Sequence, residues 1–108
     1  MEWNIHGPDP YGFEQVSLQG DCDLYHAPAF ASAMLTRIEA GTRKLRFDFS
    51  EVSYLDSSGV GAVIKIVQAA RRHSVNLRFS GIKGSPRKVL RMSNILPLLR
   101  EEEGSAAE

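Results

Sequence analysis

Hydrophobic positions along this chain change their period several times, and each change marks an element. Residues 2–6 and 13–18 are short strand-like runs separated by Gly7-Pro8-Asp9-Pro10-Tyr11-Gly12, a dense cluster of turn formers that predicts an antiparallel hairpin. Beyond Gly20-Asp21-Cys22-Asp23, Phe30, Met34 and Ile38 recur at every fourth position, flanked by Ala27, Ala31 and Leu35 and closed by Gly41. That spacing predicts a first helix over 28–40, with Pro28 near its first turn. Leu45, Phe47 and Phe49 then alternate with Arg46, Asp48 and Ser50, the period of a strand with one buried face, over 43–50. Val60, Val63, Ile64, Val67 and Ala70 line one side of a second helix from about 58 to 73, whose last turn carries Arg71 and Arg72, where cations favour the helix dipole. A third alternating run, 75–80, predicts another strand. The chain turns over 81–85, and Pro86 opens a short helix carrying Val89, Leu90 and Met92, ended by Asn94, a residue that tolerates the left-handed conformation after a helix. Residues 95–99 are apolar but too short to assign.

Strands alternating with helices predict an α/β fold in which at least one parallel pair is joined through a crossover helix. Strands sandwiched between two helix layers tend to be apolar throughout, whereas these carry Arg46, Asp48, Asn76, Arg78 and Ser80 at alternate positions. The expectation is therefore one small mixed sheet with helices mainly on one face, in a single domain over 1–100. Residues 101–108 form an acidic tail without apolar anchors, expected to be disordered.

Composition narrows the functional classes. A chain of 108 residues suits one domain, and 43% apolar residues supply its core. Formal net charge is zero, which argues against direct nucleic-acid binding or a role on anionic lipid. The start, Met1-Glu2-Trp3-Asn4-Ile5-His6, has no basic and apolar leader, and no window approaches the ~20 apolar residues that cross a bilayer, so a cytoplasmic protein is expected. Cys22, the single cysteine, reads as a small packed thiol, and His6, His26 and His73 have no metal-ligand spacing, so neither a metal nor a cofactor is expected. Charge is nonetheless segregated: residues 1–56 hold four basic and nine acidic groups, residues 57–100 hold nine basic and none acidic, and the last eight hold four acidic. Such a basic stretch is most simply a set of solvated helix faces, and alternatively a flank that steers an acidic protein partner.

Candidate chemistry concentrates in Tyr54-Leu55-Asp56-Ser57-Ser58-Gly59-Val60-Gly61, which joins a strand to an amphipathic helix. Asp and Ser there are the residue types that accept hydrogen bonds from a helix's free N–H groups, so on propensity alone this is a good N-cap. Its functional alternative is an anion-accepting site in which a phosphate on Ser57 or Ser58 meets the positive end of the helix. A serine hydrolase is excluded twice: a nucleophile elbow needs glycine where Leu55 stands, and no Asp or Glu occurs between Ser57 and Arg100 to complete a triad in the order serine, acid, histidine. Gly81-Ile82-Lys83-Gly84-Ser85-Pro86 lacks the spacing of a phosphate loop and reads as a turn into a helix.

Three segments in order, 20–23 before a helix, 49–61, and Leu90-Arg91-Met92-Ser93-Asn94-Ile95, resemble the STAS domain of bacterial anti-sigma factor antagonists over nearly the whole chain. The Asp-Ser-Ser-Gly element is the most specific part of that resemblance. It differs from the family pattern at Asn94, where glycine is frequent, and at Cys22, where an aliphatic residue is usual. The resemblance implies a binding module and not an enzyme. Its unphosphorylated form would bind an anti-sigma factor that is itself a serine kinase, freeing a sigma factor; phosphorylation at Ser57 would block binding, and a protein phosphatase would restore it. ATP would be bound by the kinase. By the same resemblance Ser58 is a cap or secondary acceptor, Asp23 lies beside Ser57 and helps present its hydroxyl, Asp56 organises the turn, and Gly59, Val60 and Gly61 belong to the partner surface. The alternative within the family is a STAS subunit regulating another assembly, such as a transporter, a secretion regulator or a stress-sensing complex.

Overall fold

In the computed structural model, which describes residues 1–102, the elements run β1 (Glu2–His6), β2 (Glu14–Cys22), α1 (Ala27–Glu39), β3 (Lys44–Leu55), α2 (Ser57–Arg72), β4 (Asn76–Ser80), α3 (Gly84–Met92) and a 3-10 turn (Leu96–Leu98). Four strands form one sheet in the order β1-β2-β3-β4, with β1 antiparallel to β2 and the other two pairs parallel. Mixed α/β architecture follows as the alternation predicts, because α1 and α2 are the crossovers that return the chain to a parallel neighbour.

One face of the sheet carries Val16, Leu45, Phe47 and Phe79, which merge with Phe30 and Met34 of α1, Val63 and Ile66 of α2 and Leu90 of α3 into a single buried cluster. An aromatic chain crosses it: Phe30 lies 5.5 Å from Trp3 and 6.0 Å from Phe47, and Phe79 lies 5.5 Å from Phe47 and 6.0 Å from Phe49. Such pairs add about 0.5–1.5 kcal/mol each beyond the area they bury. The opposite face is covered by ions instead. Phe13 is buried there, outside the main cluster, with the Arg46 guanidinium 4.7 Å and the Arg78 guanidinium 5.7 Å from its ring centre. Arg46 in turn pairs with Asp9 at 2.7 Å and Glu102 at 2.5 Å, and its hydrogen bond is the chief cause holding the Asp9 carboxyl below the usual range.

Strands β2 and β3 run further than periodicity predicts. β2 continues through Gln19, Gly20 and Asp21, residues with poor strand propensity, because β3 offers them partners: Gln19 faces Glu51, Gly20 faces Val52 and Asp21 faces Tyr54. Two register shifts, between Ser17 and Gln19 and between Gly20 and Asp21, break the alternation that would have marked the extension. The same irregularity hides the end of β3, where Val52 and Leu55 are buried and Ser53 and Tyr54 exposed. Asn94 has φ +61°, the left-handed stop its residue type suggests. Of the acidic tail, Glu101 and Glu102 are bonded into the structure: Glu102 N donates to Phe79 O at 2.8 Å, and Glu101 pairs with Arg87 at 2.7 Å. Residues 103–108 lie outside the described residues.

Candidate functional site

Strands β2 and β3 end in step, Cys22 opposite Leu55, and an aspartate follows each. Asp56 N donates to Cys22 O at 3.3 Å, so the two strand ends are tied before either helix begins. Asp56 then adopts an extended backbone, and its Oδ1 accepts from Ser58 N at 2.8 Å and Gly59 N at 3.1 Å. Its other oxygen accepts from Leu24 N at 3.3 Å, in the loop before α1. One carboxylate thus caps α2 and anchors the neighbouring loop.

Asp23 acts differently. Its Oδ1 accepts from Tyr25 N at 3.1 Å and His26 N at 3.2 Å and meets His26 Nδ1 at 2.6 Å. Partial loss of solvent pushes this carboxyl up, but the bond and charge of the His26 ring, with the two backbone donors, outweigh that and hold it below its ordinary value. Asp23 is therefore bonded within its own loop, and among the described residues it makes no hydrogen bond to Ser57. Both aspartates lie close enough to Cys22 to add to the effect of burial, which raises the thiol to about 11 and leaves it inert.

Ser57 opens α2, is exposed, and its hydroxyl takes part in no hydrogen bond among the described residues. Ser58 is half-buried on the wall of a cleft of about 250 Å³ between the first halves of α1 and α2, opposite Ala27 and Pro28, with Gly61 and Lys65 further along the same helix. Gly59 and Val60, expected on the partner surface, are both buried. A Cβ on Gly59 would come within 2.5 Å of Cys22 O and 2.4 Å of Leu55 Cδ1, so this glycine admits the strand ends to the helix and not an outside partner. Gly61 is the contrary case, since a Cβ there meets nothing within 4 Å, and it is the glycine that leaves the helix surface open.

Three large residues that periodicity did not single out are exposed near the two aspartates in the chain: Leu24 and Tyr25, 62% and 86% exposed, and Tyr54, 47% exposed. Leu24 is held at Asp56 by its backbone, and Tyr54 precedes Asp56 by two residues at the end of β3. Their sequence signal was available: large side chains within two residues of the aspartates that follow the two strands. Among the described residues no three His, Cys, Asp or Glu side chains come together as a metal site would require, and no helix is long and apolar enough to cross a membrane.

Comparison with known proteins bears on this arrangement. The chain is 24% identical to the anti-sigma-B factor antagonist of Staphylococcus epidermidis over 108 residues, the whole of both chains. Its fold resembles the anti-sigma factor antagonist SpoIIAA in its unphosphorylated form, with TM-score 0.78 and 20% identity over 98% of this chain and 92% of that one. The phosphorylated form of SpoIIAA from Bacillus gives TM-score 0.72 and 20% identity, over 98% and 96% of the respective chains. The conserved pattern of one domain family matches residues 9–106, nearly the whole of the fold described above, and on that match the chain belongs to the STAS domain family.

Proposed function

We propose that this protein is an anti-sigma factor antagonist whose unphosphorylated form binds a serine-kinase anti-sigma factor through the surface around Ser57, and that phosphorylation of Ser57 ends the binding. A phosphatase resets the switch, and ATP belongs to the kinase. The observation that carries the reading is the state of Ser57: an exposed hydroxyl without a hydrogen bond among the described residues, at the first position of α2, next to Asp56, which holds the loop of the exposed Leu24 and Tyr25. Aromatic and apolar anchors of this kind dominate protein interfaces. The relatives named as anti-sigma factor antagonists support the choice of partner.

The cap explains why a phosphate would act outward. Asp56 already takes the Ser58 and Gly59 N–H groups, so among the first three amides of α2 it leaves only that of Ser57 to receive a new anion. A phosphate adds roughly −1.5 to −2 charge units near pH 7, and here it stands beside the Asp56 carboxylate, facing the partner. Two unit charges ~4 Å apart repel by about 4 kcal/mol at an effective dielectric of 20, comparable with the ~5.5 kcal/mol that swings a two-state equilibrium from nearly full to nearly empty. No refolding is required.

The test is a paired capture from lysate of the source cells with Ser57→Ala and Ser57→Asp baits, read by mass spectrometry. A serine-kinase protein retained by the first bait and lost from the second supports the switch. If both baits hold the same proteins, Ser57 is a helix position only, and the domain serves another assembly.

A further inference from the structure

Arg71 stands fourteen residues beyond Ser57 on α2, about 21 Å along the helix at 1.5 Å per residue. Around it the second half of α2, strand β4 and the 3-10 turn enclose a groove of about 320 Å³, walled by Val67, Ala70, Val75, Leu77 and Leu98, with Arg71 and Arg100 among its lining residues. A smaller pocket of about 140 Å³ adjoins it, sharing Val67, Arg71 and Leu98 and lined further by Ile64 and Ile95. Leu98 is half exposed at this surface.

Charge here is of one sign. Arg37, Arg46 and Arg87 each pair with a carboxylate, whereas Arg71 and Arg100 are exposed and have no ion-pair partner among the described residues. None can come from the elements that build the groove, because residues 57–100 contain no Asp or Glu. The backbone adds a donor. Asn76 N bonds to Arg43 O beside β3, and on the outer side Phe79 N and O are taken by Arg100 O and Glu102 N. Strand alternation therefore turns Leu77 N–H outward, towards the groove, with no backbone acceptor among the described residues. Its carbonyl already accepts from Arg78 Nη1 at 3.1 Å.

We propose that this groove docks an extended acidic segment of a partner protein. An apolar side chain of that segment seats against Val67 and Leu98, carboxylates on either side meet Arg71 and Arg100, and a backbone carbonyl accepts from Leu77 N–H. A second copy docked through this same face fits poorly, since it would bring the same two arginines to the contact and like charges repel. The site stands apart from Ser57 and is independent of the switch proposed there.

The test pans a displayed library of short random peptides against the full chain, then measures a synthetic copy of the most enriched sequence. Expected are peptides with at least two carboxylates around one large apolar residue, which lose about tenfold or more in affinity against the doubly substituted Arg71→Glu, Arg100→Glu chain, equivalent to 1.4 kcal/mol. The same peptide is expected to weaken against Leu98→Ser and to bind Ser57→Asp unchanged. Because all these positions are at the surface, an unchanged melting temperature shows that the variants are folded. The proposal is overturned if no peptide is enriched, if enriched peptides are neutral or basic, or if the double variant binds them equally. Tenfold tighter binding by a chain ending at Glu102 would give the groove to residues 103–108 instead, and self-association abolished by the two arginine substitutions would give it to a second copy.

Discussion

Asp23 and Asp56 follow adjacent strands at positions one register step past a matched pair, yet the tertiary structure gives them opposite assignments. Asp56 spends one oxygen on the second and third residues after it, at the start of α2, and the other on Leu24 N in the neighbouring loop. Asp23 closes on the second and third residues after it and on the His26 ring, and bonds to nothing outside its own loop among the described residues. The difference shows that two loops of similar composition can differ in rank: one carboxylate holds two elements together, the other shapes a single turn.

The largest effect should come from the glycine that lets the two strand ends approach α2. Gly59→Ala places a Cβ against the Cys22 carbonyl, which is backbone and cannot swing aside, so a loss of about 1–3 kcal/mol is expected. For a domain of this size each kcal/mol lowers the melting temperature by roughly 4–8 °C, which calorimetry would show; an unchanged value would mean that the close approach of helix and strand ends is wrong.

Asp56→Ala comes next. Loss of an N-cap costs about 0.5–2 kcal/mol, and the exposed Leu24 amide is released as well, so faster amide exchange is expected both in the first turn of α2 and at residue 24. Protection lost at α2 alone would break the claim that Asp56 ties two loops.

Asp23→Asn should destabilise less than Asp56→Ala, because asparagine keeps the acceptor for Tyr25 N and His26 N and removes only the charge facing His26. Since the Asp23 carboxyl is held below its ordinary value, its contribution is present above the unfolded value of ~3.9 and is lost as pH falls through the lower folded value. Wild type is therefore expected to lose slightly more stability than Asp23→Asn on acidification below about pH 4. Denaturant melts at matched pH values measure this, and parallel curves would remove the His26 contact from the account.

The smallest effect on the fold belongs to Ser57→Ala. Removing an exposed hydroxyl with no hydrogen bond among the described residues should change stability by no more than about 0.5 kcal/mol in either direction, so any altered partner binding by this variant reports on the switch and not on the domain. A melt displaced by several degrees would show that Ser57 is structural.

Much of this fold is legible in the sequence. Fourfold spacing of Phe30, Met34 and Ile38 and twofold spacing of Leu45, Phe47 and Phe49 place α1 and the first half of β3, because each pattern is complete within one element. The Asp-Ser-Ser-Gly turn is legible for the same reason, its cap bonds spanning only two and three residues.

What the sequence could not determine alone rests on partners distant in the chain. β2 reaches Cys22 only because β3 pairs with residues whose own propensity opposes a strand. Gly59 is confined by a carbonyl thirty-seven residues earlier, which assigns it to packing although it sits in the same turn as the open Gly61. The loop of the exposed Leu24 and Tyr25 is held at the start of α2 because Asp56 accepts from Leu24 N, thirty-two residues away in the chain. Side-chain period and capping are local physics and can be read along the chain; register, close approach and exposure are set by which surfaces meet, and that is decided only when the strands align.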